Sequence, residues 1–102
     1  MGYWHEKVVV ITGGSSGFGR SLAACFAGAG ASVTIAARNQ EALDSTASSI
    51  AGDVTARTVD ITDDEQVEQL VAGILKERGR IDAWINNAGR SHRGQAAETS
   101  SQ

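Results

Sequence analysis

Apolar and polar residues along this chain follow two alternating patterns. Four short segments are almost continuously apolar and rich in β-branched residues, and three longer segments repeat their apolar residues every three or four positions. Short β-branched runs are typical of buried strands, whereas the longer period is typical of helices that bury one face. The pattern therefore predicts the order β-α-β-α-β-α-β.

The four predicted strands differ in how completely they are apolar. They cover residues 7–11, 31–37, 54–59 and 81–85. The first, Lys7 to Ile11, is an unbroken β-branched run, as expected for a central strand with both faces covered. Arg57 interrupts the third, which suits a strand at the edge of the sheet. The predicted inner faces of the helices are Phe18, Leu22, Phe26 and Ala29; Leu43, Ala47 and Ile50; and Val67, Leu70, Val71, Ile74 and Leu75.

Residues near the predicted helix ends carry start and stop signals. Asn39 is expected to cap the second helix, and Thr62 to Glu65 reads as a capping box for the third. The three helices are expected to end at Gly30, Gly52 and Gly79. Side chains expected to be solvated are Ser45, Thr46, Ser48 and Ser49, and Cys25 is expected to be a small packed residue.

The segment from Thr12 to Gly19 joins the first strand to the first helix. It reads Thr-Gly-Gly-Ser-Ser-Gly-Phe-Gly. Glycine allows a sharp turn and close approach of a ligand, and the start of a helix offers free N–H groups and a positive dipole end. These features predict a pyrophosphate-binding turn. Two alternatives stay open: a turn without a ligand, and a triphosphatase loop in which Arg20 replaces the required Lys.

Composition narrows the classes of function. The chain has 102 residues, a formal charge of −3 and nine basic residues without a run or stripe, so a nucleic-acid surface is not expected. No apolar run is long enough to span a membrane, and no export signal is recognised. One cysteine fits a reducing compartment, so a cytoplasmic location is expected, and no metal site is assigned.

Two motifs together resemble the short-chain dehydrogenase/reductase family. They are T-G-x-x-x-G-x-G from Thr12 and Asn-Asn-Ala-Gly from Asn86, each directly after a predicted strand. The resemblance implies a Rossmann-like three-layer α/β/α fold with a parallel sheet of strand order 3-2-1-4, truncated after the fourth strand. Residues 1–90 would form the cofactor-binding half-domain, and the polar tail 91–102 is expected to be poorly ordered.

The family resemblance also implies a nicotinamide dinucleotide site. Asp60 would accept a hydrogen bond from the adenine amine and Ile61 would offer a backbone N–H. The motif glycines and Asn87 would lie beside the pyrophosphate and ribose. For Asn86 and Asn87, holding neighbouring strands together is as well supported a role as contact with the ligand. The assigned residues are Gly13, Ser15, Ser16, Gly17, Phe18, Gly19, Arg38, Asp60, Ile61, Asn87, Ala88 and Gly89.

The end of the second strand bears on the choice of cofactor. An acidic residue there would bind the ribose 2′-hydroxyl of NAD, but this chain has Ala37 and Arg38. A guanidinium can pair with a 2′-phosphate, so NADP is expected over NAD. The alternatives are that Arg38 stacks on adenine or points into solvent, and that Asp60 is only a loop acid before a helix.

The residues that carry out catalysis in this family are not found in the sequence. The family uses a Tyr four residues before a Lys, but the tyrosine here, Tyr3, lies before the first strand. No catalytic residue is therefore assigned, and the chain alone is expected to be inactive. The intact enzyme would transfer hydride between NADP(H) and a small carbonyl or alcohol substrate, usually as a homo-oligomer. The alternatives are a non-catalytic NADP-binding module and a non-functional fragment with a bare sheet edge.

Overall fold

Strands and helices alternate strictly along the residues that the structure, a computed structural model, describes, which are 2–13 and 17–87. The elements are β1 (Val8–Thr12), α1 (Gly17–Gly28), β2 (Ser32–Ala37), α2 (Gln40–Ser49), β3 (Asp53–Thr58), α3 (Asp64–Arg78) and β4 (Ala83–Asn86). This is the element order that the apolar pattern predicts. Each strand begins one or two residues from its expected start, and the expected polar tail lies outside the described residues.

The strands form one parallel sheet with the order β3-β2-β1-β4. The predicted order 3-2-1-4 is therefore confirmed. β1 lies between β2 and β4, and Val9 is in register with Val33 on one side and Ala83 on the other. All residues of β1 are buried, which explains why its sequence is apolar without alternation. Within the described ranges β3 pairs only with β2, so the strand that contains Arg57 is an edge strand, as expected.

The two faces of the sheet bury separate apolar clusters. Val9 and Ile11 of β1 pack with residues of α1 and α2, including Ala23 and Leu43. Val8 and Val10 point to the other face, where the α3 residues Leu70 and Ile74 cover them, and this cluster also contains Ala36 and Val59. Because successive residues of a strand point to opposite faces, one apolar run serves both clusters. The result is the three-layer α/β/α arrangement.

Helix α1 packs through a different face from the one that its apolar pattern predicts. Phe18 is 68% exposed, and the buried residues are Gly19, Ala23 and Ala27. Small side chains let the helix backbone approach the sheet closely, so the buried stripe is shifted by one position from the expected one. Leu22 and Phe26 still pack against the cluster at its border. The expectation for Cys25 is wrong, because this residue is exposed; Ala29, which follows the helix, is exposed as well.

The helix ends match most of the sequence signals. Asn39 caps α2, with its Oδ1 accepting the Ala42 N–H at 3.0 Å. The cap of α3 is Asp63 and not Thr62, since the Asp63 carboxylate accepts the N–H groups of Glu65 and Gln66. Gly79 ends α3 in the left-handed conformation with φ 86°. Thr46 of α2 is buried rather than solvated, whereas the neighbouring Ser45, Ser48 and Ser49 are exposed as expected.

Asp82 forms hydrogen bonds at the end of the sheet where the parallel strands begin. Its carboxylate accepts the Val8 N–H at 2.7 Å and the Arg80 Nε–H at 3.0 Å, while its own N–H donates to the Val8 carbonyl. The hydrogen bond from Val8, together with the nearby Arg80, holds the pKa of Asp82 below its usual range. These contacts fix the start of β4 against β1.

In the described ranges, no helix has the length and apolar character needed to cross a bilayer.

Candidate functional site

The residues assigned from the sequence lie together at one edge of the sheet. Because all four strands are parallel, their carboxyl ends meet there. Gly13 follows β1, Arg38 follows β2, Asp60 follows β3 and Asn87 follows β4. The assigned residues Ser15, Ser16, Ala88 and Gly89 are outside the described residues, and their assignment stays a prediction.

The turn after β1 is fixed by hydrogen bonds to both neighbouring strands. The Gly13 N–H donates to the Ala36 carbonyl of β2 at 2.6 Å, and the Gly13 carbonyl accepts the Asn87 Nδ2–H at 3.0 Å. Gly13 has φ 72°, a left-handed conformation that strains residues with a Cβ. A glycine is therefore required at this position for the chain to leave β1 in this direction.

The asparagines at the end of β4, Asn86 within the strand and Asn87 after it, connect β4 to β1. The Thr12 hydroxyl donates to Asn86 Oδ1 at 3.0 Å, and the Asn87 N–H donates to the Thr12 carbonyl at 3.1 Å. The Trp84 indole N–H also donates to Asn86 Oδ1, at 3.3 Å. These contacts support the interpretation that Asn86 and Asn87 tie adjacent strands together.

The start of α1 has the properties of an anion site. Gly17 is its first residue, and apart from its chain neighbours and the backbone of its own helix no described atom lies within 4 Å of a Cβ added there. The first turn of α1 carries no acidic residue, so the positive end of its dipole is not neutralised by the helix itself. Phe18 is exposed beside it, and Gly19 is buried toward the sheet. The residues present therefore leave room and positive potential for a phosphate group.

Asp60 is held in a tight turn at the end of β3. Its Oδ1 accepts the Thr62 N–H at 3.0 Å and the Thr62 hydroxyl at 2.6 Å. These hydrogen bonds, with a smaller contribution from the positive charge of Arg38, keep the pKa of Asp60 below its usual range. Asp60 is therefore an ionised acceptor at neutral pH. Arg38 is exposed, and Ile61 is half-buried against the apolar cluster on the α3 side.

Sequence reasoning missed one residue of this region, Gln66. Its Oε1 accepts the Asp60 N–H at 2.9 Å, across six positions of the sequence. A capping box read one residue later in the sequence, from Asp63 to Gln66, would have pointed to this residue. With Asp63 as the cap, Gln66 occupies the third helical position, where Gln and Glu reach back toward the preceding chain.

The fold and the site together define a class of protein. In an open parallel sheet, ligands bind at the carboxyl ends of the strands, at the point where the strand order reverses. Here the chain runs outward from β1 through β2 to β3 and then returns to β4 on the other side of β1, with α1 and α3 on opposite faces of the sheet. Gly13 and the start of α1 lie at this point. This is the arrangement of a Rossmann-type nucleotide-binding fold.

The chain belongs to the short-chain dehydrogenase family, whose sequence profile, described as "short chain dehydrogenase", matches residues 7–102. This membership decides against the triphosphatase interpretation of the glycine turn. The family consists of oxidoreductases with a Rossmann fold that use nicotinamide dinucleotides.

Individual relatives agree with the family assignment. Meso-2,3-butanediol dehydrogenase of Serratia marcescens is 40% identical over 96 residues, a match that covers 93% of this chain and 38% of the relative. A variant of actinorhodin polyketide ketoreductase with NADPH superposes with TM-score 0.81 and 31% identity, covering 98% of this chain and 40% of that structure. A metagenomic short-chain oxidoreductase in complex with NADP gives TM-score 0.81 and 30% identity, covering 84% and 40%. The chain thus spans about a third of the length of its curated relatives.

Proposed function

We propose that this chain forms the adenosine and pyrophosphate part of the cofactor site of an NADP-dependent oxidoreductase. The observation that carries the proposal is the meeting of Gly13, Gly17, Arg38 and Asp60 at the carboxyl edge of the sheet. Gly17, Arg38 and Asp60 offer different kinds of contact that fit successive parts of a dinucleotide, and Gly13 fixes the turn between them and β1. Relatives of similar fold that hold NADPH and NADP support this choice of ligand.

The pyrophosphate is assigned to the start of α1. A side chain added at Gly17 would meet open space among the described residues, and the start of the helix carries the positive end of its dipole. Gly13 supports this site indirectly, because its bonds to Ala36 and Asn87 fix the direction in which the chain leaves β1. These residues bind and orient the cofactor, and they take no part in proton or hydride transfer.

The adenosine is assigned to the ends of β2 and β3. An ionised Asp60 can accept a hydrogen bond from the exocyclic amine of adenine, and the lowered pKa keeps it ionised. Arg38 stands where an acidic residue would favour the 2′-hydroxyl of NAD. Its guanidinium is exposed and close enough to affect the charge state of Asp60. We therefore assign the 2′-phosphate of NADP to Arg38.

The reaction is proposed for the whole protein and not for the residues of this chain. When bound, the nicotinamide of the cofactor carries the hydride that passes to or from a carbonyl or alcohol carbon. The 102 residues contain one tyrosine, Tyr3, which lies before β1 at the edge opposite the glycine turn. No residue of this chain is assigned a catalytic role. The substrate class is proposed from the family, as a small carbonyl or alcohol compound.

Replacing Arg38 tests the choice of cofactor. We expect Arg38→Ala to weaken NADPH binding by about ten- to hundredfold, the loss expected for a charge-assisted hydrogen bond. NADH affinity should change by less than about twofold, since NADH has no 2′-phosphate for Arg38 to pair with. Both affinities are measured by fluorescence titration of the purified chain.

Lys76→Ala is the matched control for Arg38→Ala. It removes one positive charge from the last turn of α3, away from the site, and should leave both affinities unchanged. Equal weakening of NADPH and NADH by Arg38→Ala would contradict the assignment of the 2′-phosphate. So would a loss of NADPH affinity in Lys76→Ala of the same size, because the effect would then be one of net charge.

A further inference from the structure

Gln66 links the cap of α3 to the loop that follows β3. Its side-chain oxygen Oε1 accepts the Asp60 N–H at 2.9 Å. Its side-chain nitrogen Nε2 donates to Asp63 Oδ2 at 3.2 Å, while its backbone N–H donates to Asp63 Oδ1 at 3.3 Å. One exposed side chain thus spans from the first turn of a helix to the backbone of Asp60.

The two bonds of the Gln66 amide require both of its ends. The Asp60 N–H can only donate, so it needs the amide oxygen, and the Asp63 carboxylate can only accept, so it needs the amide nitrogen. A glutamate could supply the first contact but would place a second carboxylate beside Asp63. A hydrocarbon side chain could supply neither. Glutamine is therefore chemically matched to this position.

The Asp60 residue is held from two sides. Thr62 engages carboxylate oxygen Oδ1 through its N–H and its hydroxyl, and Gln66 holds the backbone N–H of the same residue. The Asp60 carbonyl also accepts the Asp63 N–H at 3.0 Å. Among the described residues none donates a hydrogen bond to Oδ2. This arrangement fixes the carboxylate and leaves Oδ2 without a donor from the described part of the chain.

We infer that Gln66 is a positioning residue for adenine recognition, which it serves by holding Asp60 in place. The inference rests on the proposed function, in which Asp60 accepts the exocyclic amine of adenine. Without Gln66, the Asp60 N–H loses its partner in α3, and of the described hydrogen bonds to the Asp60 backbone only the one from the Asp63 N–H to the Asp60 carbonyl remains, so the carboxylate samples positions that do not reach the adenine amine. Gln66 itself touches neither adenine nor any reacting atom.

The test compares NADPH with its analogue in which hypoxanthine replaces adenine. The analogue has an oxygen in place of the amine, so the atom at that position accepts hydrogen bonds and cannot donate one to Asp60. The parent chain is expected to prefer NADPH over the analogue by about tenfold. In Gln66→Met this preference should fall to about threefold or less, while the preference for NADPH over NADH, set by Arg38, is kept. Both ratios are measured by fluorescence titration, and thermal denaturation checks folding.

Gln69→Met is the matched control, because Gln69 is an exposed glutamine of the same helix, beyond its first turn. It should keep the full preference for adenine. An unchanged adenine preference in Gln66→Met, whatever its unfolding temperature, would overturn the inference and leave Gln66 a purely structural residue. Failure of the parent chain to bind NADPH would instead overturn the proposed function, so the two failures are distinguishable.

Discussion

The Gly17→Asp variant is expected to stay folded and to bind NADPH about a hundredfold more weakly than the parent chain. A side chain at Gly17 meets open space among the described residues, and an acid in the first turn of a helix is favoured by the dipole. The new carboxylate would, however, occupy and charge the place assigned to the pyrophosphate. Fluorescence titration measures the loss of affinity, and thermal denaturation shows that the fold is kept.

Gly28→Asp is the control for this substitution. Gly28 is the last residue of the same helix, and a Cβ there also meets open space. The same change of residue and charge at the far end of α1 should leave NADPH affinity within about twofold of the parent chain. If both variants bind as tightly as the parent, the start of α1 is not the pyrophosphate site. If both lose affinity equally, net charge explains the loss.

The Ile35→Ala variant is expected to lose about 2–5 kcal/mol of unfolding free energy. Ile35 is 0% exposed, lies in the second strand of the sheet and pairs in register with Ile11 and Ala56. The truncation leaves a cavity in the cluster covered by α1 and α2. The surrounding side chains are closely packed and cannot move enough to fill it. Small domains have an unfolding free energy of only about 5–15 kcal/mol, so this loss would remove a large part of it. Urea denaturation followed by circular dichroism gives the value.

Leu75→Ala serves as the control for the core variant. Leu75 lies in α3 but is 44% exposed, so its loss should cost less than about 1 kcal/mol. Costs of similar size for Ile35→Ala and Leu75→Ala would contradict the placement of the core between the sheet and the helices α1 and α2. A smaller cost for Ile35→Ala than for Leu75→Ala would contradict it still more directly.

The order of elements could be predicted from the sequence because the apolar periods of strands and helices differ. The run Lys7 to Ile11 and the break at Arg57 also indicated which strands are central and which lies at the edge. The order of strands in the sheet, by contrast, came from the family resemblance. Periodicity says which residues are buried but not which strand neighbours which.

The errors arose where packing distance or a local hydrogen bond decides the outcome. Phe18 fits an apolar stripe, yet Gly19, Ala23 and Ala27 face the sheet because small residues allow close approach. The pattern treats every apolar residue alike and cannot show this difference. The cap of α3 was placed one residue early, at Thr62, since Thr and Asp are both good caps and only the geometry shows which accepts the helix N–H groups.

The location of the candidate site could be predicted in outline. Turn chemistry and parallel topology bring Gly13, Arg38, Asp60 and Asn87 to one edge. The supporting contacts could not be predicted, because they depend on the path of the loop after β3. Gln66 can accept the Asp60 N–H because the loop after β3 turns back onto the first turn of α3. A sequence motif shows which residues are present, but which of them are in contact depends on the conformation of the loop.

The most direct test of the central claim is thermal denaturation of the purified chain with NADPH and with NADH at equal concentrations. A ligand that binds only the folded state stabilises it by RT ln(1 + [L]/Kd), about 2.7 kcal/mol at a hundredfold excess over Kd. If the chain forms the adenosine and pyrophosphate part of an NADP site, NADPH raises the unfolding temperature clearly more than NADH does. A cooperative transition that neither nucleotide shifts would contradict the proposed cofactor site, and an equal shift by both would contradict the role of Arg38.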